Sequence, residues 1–276
     1  MNDYSIGFIG GGNMAASIIG GLINDGFPAS NICVAEPNDS ARSQLAASFG
    51  VHTELDNTKV ANDVDVLVLA VKPQVMKKVT QQIANDVQTR QPLVISIAAG
   101  LRSNDLSDWL GGDVAMVRSM PNTPALVQSG ATGLFANAHV SSAQREQAES
   151  ILRAVGITVW LEDEQLIDAV TALSGSGPAY IFYVIEAMEN AGVKLGLEAS
   201  VARRLAVQTA FGASKLALES SDDPALLRQK VTSPGGTTER ALNALQQGDM
   251  ENLFMQALQA ASDRAAELAD QLADSD

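Results

Sequence analysis

At 276 residues, 46% of them hydrophobic, the chain can hold one large domain or two smaller ones, each with its own core. A formal net charge of −14 argues against nucleic acid and anionic membrane surfaces as partners, and leaves an anionic substrate to local donors. No stretch approaches the ~20 apolar residues of a membrane span, and a single cysteine excludes an internal disulfide framework, which points to a cytoplasmic protein.

The N-terminal residues lead into a short strand, Ile6–Ile9, with no basic leader or apolar targeting segment before it. Gly10, Gly12 and Ala15 follow in the G-x-G-x-x-A spacing of a dinucleotide-binding turn and open a helix over 14–25. Gly10 permits the tight turn, Gly12 lets a pyrophosphate approach the backbone, and Ala15 lets helix and strand lie close. The unpaired N–H groups at the helix start favour the phosphate charge. A second strand, Ile32–Ala35, carries Cys33, read as a small core residue. It ends at Glu36, where an acidic residue commonly bonds the adenosine ribose and favours NADH. Asn38, Ser40 and Arg42 leave room for NADPH, and a solvated carboxylate is the plain alternative.

A helix over 40–49 and a strand over 51–53 precede the clearest buried strand, 64–71. Its continuous aliphatic run suits a parallel sheet covered on both faces. It stops at Lys72-Pro73, where Lys72 reads either as an anion contact or as a solvated loop lysine. A helix over 75–86, a strand over 93–97 ending in Ala98-Ala99-Gly100, and a helix over 103–110 follow. These two strand ends and the glycine turn are expected to line the carboxyl edge of the sheet, where ligands bind. A strand over 114–119 runs into a rigid loop, Met120-Pro121-Asn122-Thr123-Pro124, at the same edge. A segment over 133–137, a helix over 142–155 and a strand over 157–161 complete a domain of alternating strands and helices, residues 1–162. The two histidines, His52 and His139, lack metal-ligand spacing, so no metal site is expected.

Residues 163–276 read as an all-helical domain. After a helical stretch over 166–173, Gly177-Pro178 form the cap and first turn of an unusually apolar helix reaching 191. Gly192 and Gly196 break it ahead of a helix over 197–219, and Asp222 or Asp223 with Pro224 caps a short helix ending at 231. The small-residue turn Thr232-Ser233-Pro234-Gly235-Gly236-Thr237-Thr238 then opens a helix over 239–246, and a last helix begins at Asp249. The N–H groups of Gly235, Gly236, Thr237 and Thr238, with three nearby hydroxyls, suit a carboxylate; a hydroxyl-rich helix cap is the alternative. So alanine-rich a bundle has difficulty burying enough area alone, and dimerisation through it is expected.

Four stretches together resemble the pyrroline-5-carboxylate reductases, which form proline by reducing a cyclic imine with NADPH or NADH. They are FIGGGNMA at 8–15, LAVKP at 69–73, LSGSGPAY at 173–180 and VTSPGGTTERAL at 231–242. The last two are specific to that family; the first two are shared with other β-hydroxyacid-type dehydrogenases. The resemblance implies an α/β fold, an N-terminal Rossmann-like dinucleotide-binding domain followed by an all-α C-terminal dimerisation domain. It implies dinucleotide contacts at Ile9, Gly10, Gly11, Gly12, Asn13 and Met14, at Asn57, at Ala70, Val71, Lys72 and Pro73, and at Ile97, Ala98 and Ala99. It implies 1-pyrroline-5-carboxylate held by Val231, Ser233, Gly235, Gly236, Thr237 and Thr238, with Thr238 bonding the ring nitrogen as the catalytic residue. Lys230 and Glu36 stand where some members carry an asparagine and a small hydroxylated residue. Homodimers intertwined through the helical domain, open to further association, are implied as well. An iminium brings its own proton, so such a site needs no strong acid. A dehydrogenase acting on a small hydroxy or keto acid would need a lysine or histidine at the domain junction, and LSGSGPAY offers neither. A dinucleotide sensor without turnover would have no use for an intact SPGGTT turn.

Overall fold

Strands that the sequence makes apolar on both faces form the centre of an eight-stranded sheet in the computed structural model, which describes residues 4–273. β1 (Ile6–Ile9), β2 (Ile32–Ala35), β3 (His52–Glu54), β4 (Val66–Leu69), β5 (Leu93–Ser96) and β6 (Met116–Met120) lie in the order β3-β2-β1-β4-β5-β6. β7 (Gly130–Ala136) and β8 (Gly156–Trp160) extend the sheet beyond β6. All neighbours are parallel except β6 and β7. β1, β4 and β5 are buried at every position, as strands covered on both faces must be. The two-residue period sends Phe8 and Val68 to one apolar cluster and Ile9 and Leu69 to the other.

The strands are connected by α1 (Asn13–Asn24), α2 (Asp39–Phe49), α3 (Asn57–Ala61), α4 (Pro73–Arg90), α5 (Ser103–Trp109) and α6 (Ser142–Arg153). α3 has no counterpart among the expected elements. Five residues are too few for a helical period, and its signal is the cap, where Asp56 accepts from Thr58 N–H at 3.0 Å. β4 occupies only the middle of the expected 64–71, because Ala70 and Val71 already turn toward a helix that starts at Pro73. β7 starts at Gly130 rather than 133 and turns antiparallel to β6, an orientation that periodicity does not encode.

After β8 the chain forms α7 (Leu166–Val170) and a π-turn, Thr171–Gly175, instead of one helix over 166–173. Arg118 of β6, only 3% exposed, anchors this segment through Glu164 Oε1 at 3.1 Å and Asp168 Oδ1 at 3.5 Å. Glu164 also accepts from the N–H and hydroxyl of Ser103, at the start of α5, at 2.7 and 2.6 Å. The buried amide of Asn122 donates to the Ser174 carbonyl at 3.0 Å and accepts from Ala131 N–H at 2.9 Å. The loop expected to be rigid is therefore tied to the π-turn.

These contacts assign 163–175 to the α/β unit. The end of the last helix, α12 (Met250–Ala273), belongs there too, with Ala265 and Ala269 buried and Arg102 paired with Asp270. The compact units are 4–175 with 261–273, and Ser176–Ala260. They divide the chain by packing at a different place from the expected boundary at 162/163, since sequence marks where strands stop but not where helices pack. The outer limits of the expected domains, 1–3 and 274–276, lie outside the described residues.

The helical unit holds α8 (Gly177–Lys194), α9 (Ala199–Glu219), α10 (Pro224–Lys230), α11 (Thr237–Gln247) and the first half of α12. Gly192 does not end α8. It faces Ala202 of α9, where an added Cβ would come within 3.3 Å, and the break falls at Gly196. Asp223 caps α10 through Leu226 N–H at 2.8 Å. Within one chain, α8, α10 and α11 bury none of their residues, and α9 buries only Ala202 and Ala206.

The Arg118 cluster yields a stability prediction. Glu164→Ala would leave a buried guanidinium with Asp168 alone and release both groups of Ser103. Breaking a buried pair from one side costs about 3–5 kcal/mol. Thermal melts should show a fall of several degrees, whereas a variant at the exposed pair of Arg264 and Glu267 should shift little. Equal, small shifts at both sites would contradict the anchoring role.

Candidate active site

The first group of candidate residues is built by the ends of β1 to β5, whose parallel course brings their carboxyl ends to one edge. Gly10 lies at φ +99, and a Cβ there would stand 2.8 Å from the Ala70 carbonyl oxygen. Its N–H donates to Ala35 O at 2.8 Å, while Ala70 N–H donates to Ile9 O at 2.8 Å. The turn is thus bonded to the ends of β2 and β4 at once. Gly11 leaves room for Leu45, whose Cδ1 would lie 2.5 Å from an added Cβ.

Gly12 differs from both. It caps α1 in an extended conformation, and a Cβ on it would meet nothing within 4 Å. No side chain caps α1, so the N–H groups of its first turn are left for water or an anion. Ala15, 1% exposed, lets the helix lie against β1. Glycine at position 12 has no packing reason, and its openness fits a phosphate approaching the backbone.

The other candidates of this group stand along the same edge. Asn57 begins α3 after β3, half-buried, and donates to Gln82 at 3.2 Å. Lys72 caps α4 and Pro73 is its first residue, again with no side-chain cap. Ile97, Ala98 and Ala99 follow β5, with Ile97 N–H bonded to Leu69 O at 3.2 Å. Glu36, half-buried, accepts from Gly11 N–H at 2.9 Å and from Asn38 N–H at 3.0 Å. It borders a crevice of about 430 Å³ with Gly12, Asn13, Leu45 and Phe49. Ile9 belongs to one apolar cluster, with Val71 packed against it, and Met14 packs against the other. Burial, reinforced by Glu54, pushes the Cys33 thiol up, which suits an unreactive core residue.

The second group lies within the helical unit. Val231 is exposed at the end of α10, and Thr232 donates to Arg228 O at 2.6 Å. Gly235 takes the left-handed φ of +72, which brings Gly236 N–H to Ser233 O at 3.0 Å. Gly236 caps α11 without a side chain, so Thr237 and Thr238 are its first two residues. Ser233 and Thr237 are exposed and Thr238 is half-buried.

One participant is absent from the sequence reading. Glu239 Oε2 accepts from Gly235 N–H at 2.8 Å, so the turn already holds a carboxylate. The expectation of four free N–H donors is corrected: Gly235 is bonded to Glu239 and Gly236 to Ser233, and those of Thr237 and Thr238 remain. The signal was a glutamate three residues after the cap, the position from which a capping box reaches back. Lys230 is also engaged, paired with Asp222 of its own unit.

Residues 164–268 match the family described as pyrroline-5-carboxylate reductase dimerisation, and residues 5–100 the family described as NADP oxidoreductase, coenzyme F420-dependent. A pyrroline-5-carboxylate reductase of Pseudomonas aeruginosa is 53% identical over 272 residues, covering 99% of both chains. The solved structure of a Coxiella burnetii pyrroline-5-carboxylate reductase is 46% identical at a TM-score of 0.94, covering 97% of this chain and 99% of that one. A Plasmodium falciparum pyrroline carboxylate reductase, solved with NADP bound, is 29% identical at a TM-score of 0.85 over 98% and 99% of the two chains.

The open space above Gly12 gives a direct test. Gly12→Val should melt within a few degrees of the parent, because its φ of −70 is allowed to valine and no atom is displaced. Calorimetric titration with NAD⁺ or NADP⁺ should show affinity lowered roughly tenfold or more, since the branched side chain fills the phosphate approach. An unchanged affinity would remove this turn from the site.

Proposed function

The chain belongs to the pyrroline-5-carboxylate reductase family, and from that membership we propose how its residues carry the reaction. The reaction is reduction of 1-pyrroline-5-carboxylate to L-proline, the last step of proline biosynthesis, with NADPH or NADH as reductant. When bound, the dihydronicotinamide supplies the hydride. The open cap at Gly12 and the free first turn of α1 receive the pyrophosphate, with Ile9, Gly10, Gly11, Asn13 and Met14 shaping the turn. Glu36 stands at the adenosine ribose. Asn57, Ala70, Val71, Lys72, Pro73, Ile97, Ala98 and Ala99 line the rest of the edge.

The start of α11 carries the substrate half of the proposal. A helix that opens on a bare glycine, with two threonines as its first residues and Ser233 beside them, offers N–H and hydroxyl donors to a small carboxylate. Val231, Ser233, Gly235, Gly236, Thr237 and Thr238 are assigned to this task. Thr238 orients the ring nitrogen. Its hydroxyl is far too weak an acid to titrate near neutral pH, so the proton comes with the iminium or from water. Positioning of the imine carbon then accounts for most of the catalysis.

Homo-oligomerisation follows from the dimerisation domain. Its finer form, a homodimer through the helical unit, is supported by side chains that one chain leaves in water. Phe182 is 66% exposed, Tyr183 71%, Leu218 77% and Leu195 88%. Such a surface marks an interface. No helix among the described residues is long and apolar enough to cross a membrane. A cytoplasmic location is proposed from the lone, unpaired Cys33.

The reaction is tested by loss of NADH or NADPH absorbance on adding pyrroline-5-carboxylate, and Thr238 by substitution. Losing one hydrogen bond to a cationic nitrogen costs about 1.5–3 kcal/mol, or one to two powers of ten in kcat/KM. Thr238→Ala should be slowed by that amount with an unaltered pH profile, and Thr238→Ser should recover most of the rate. An alanine variant as fast as the parent would reduce Thr238 to a helix residue. One whose profile loses an ionisation would reveal a coupled acid instead.

A further inference from the structure

Glu36 closes β2 with both carboxylate oxygens bound, Oε2 by Gly11 N–H at 2.9 Å and Oε1 by Asn38 N–H at 3.0 Å. Charge-assisted bonds from two different loops hold the side chain where it is. A carboxylate accepts about four hydrogen bonds, so each oxygen keeps capacity for one more donor. A pair of ribose hydroxyls brings donors to such a group. A 2′-phosphate brings like charge against a carboxylate that is not free to leave.

Two more side chains of the turn, Arg42 and Asn38, are also engaged. Arg42 is the only basic residue between Ala35 and Phe49. Its Nη1 donates to the Glu36 carbonyl at 2.7 Å, and its Nη2 is paired with Asp39. Asp39 is 90% exposed and packs against nothing that needs it, although a carboxylate at the start of α2 also suits the helix dipole. Asn38 is used as the cap of α2, accepting from Ala41 N–H at 2.9 Å. The one cation of this turn is thus paired from inside it.

We propose that Glu36 makes this chain select NADH over NADPH by receiving the ribose hydroxyls, and that Asp39 is a second guard behind it, holding Arg42 in a pair within the turn. The selection rests on the dinucleotide site assigned above and is independent of the imine substrate. Asp39 is a positioning residue: it acts only through Arg42, and only once the 2′ position is no longer guarded by Glu36. The two substitutions are therefore coupled rather than additive.

The test is calorimetric titration of NAD⁺ and NADP⁺, without substrate, into the full chain and three variants. The parent should bind NAD⁺ at least about tenfold more tightly than NADP⁺. Glu36→Ser should bring the two within roughly threefold, and Asp39→Asn alone should leave the parent ratio nearly unchanged. The double variant should bind NADP⁺ about tenfold more tightly than Glu36→Ser does, because Arg42 is free to answer the phosphate. A thermal melt of each variant reports whether it is still folded. A parent that binds both cofactors equally would overturn the role of Glu36. A double variant with no gain for NADP⁺ over Glu36→Ser would overturn that of Asp39. Because binding is read with no imine present, these outcomes stay separate from failure of the proposed reaction.

Discussion

The α/β unit depends on how closely the turn after β1 lies against the end of β4. At Gly10 a single added carbon would meet the Ala70 carbonyl, and the same few residues are bonded to the end of β2. β1 is the strand at which the sheet order reverses, with β2 on one side and β4 on the other. Connections leave such a point in opposite directions and open a crevice at the carboxyl edge. Backbone proximity at Gly10 therefore brings the starts of α1 and α4 to that crevice, and neither helix has a side chain of its own at its cap. The anion-receptive end of the unit is a result of strand order as much as of the glycines.

Both turns assigned to ligands already contain a carboxylate of the chain. Glu36 is bonded to Gly11, and Glu239 to Gly235. Each gives a partner to an N–H group that would otherwise depend on solvent. The turn before α11 is consequently shaped before any substrate reaches it, by Glu239 from within the helix and by the left-handed Gly235. What it offers an incoming carboxylate is smaller than the sequence suggests, two N–H groups and the adjoining hydroxyls. Recognition of a small substrate then rests on geometry more than on the number of donors.

Much of the α/β unit was legible because its strands carry their own evidence. The run from Val64 to Val71 could be little but a strand buried on both faces, and Gly10, Gly12 and Ala15 have a spacing with a mechanical reason. The candidates after β1 to β5 share an edge because parallel strands must put their ends together, so their grouping, though not their role, was readable from the sequence. Three kinds of feature were not. α3 is shorter than a helical period can reveal, and β7 reverses direction without changing composition. Gly192 reads as a break yet serves a close helix crossing, since propensity cannot see Ala202 opposite. Arg118, Glu164 and Asp168 meet only through tertiary structure, and that meeting moves the division between units past the point where strands end.

Within one chain α8, α10 and α11 bury none of their residues, and α9 only two alanines. In the dimer proposed above, part of the helical unit's stability would come from the second copy and follow mass action, with dilution favouring forms in which Phe182 and Leu195 meet water. The same faces would then stand open on each newly made chain until another arrived, and in that interval aggregation would compete with assembly. Abundance would thus act as a stabilising ligand.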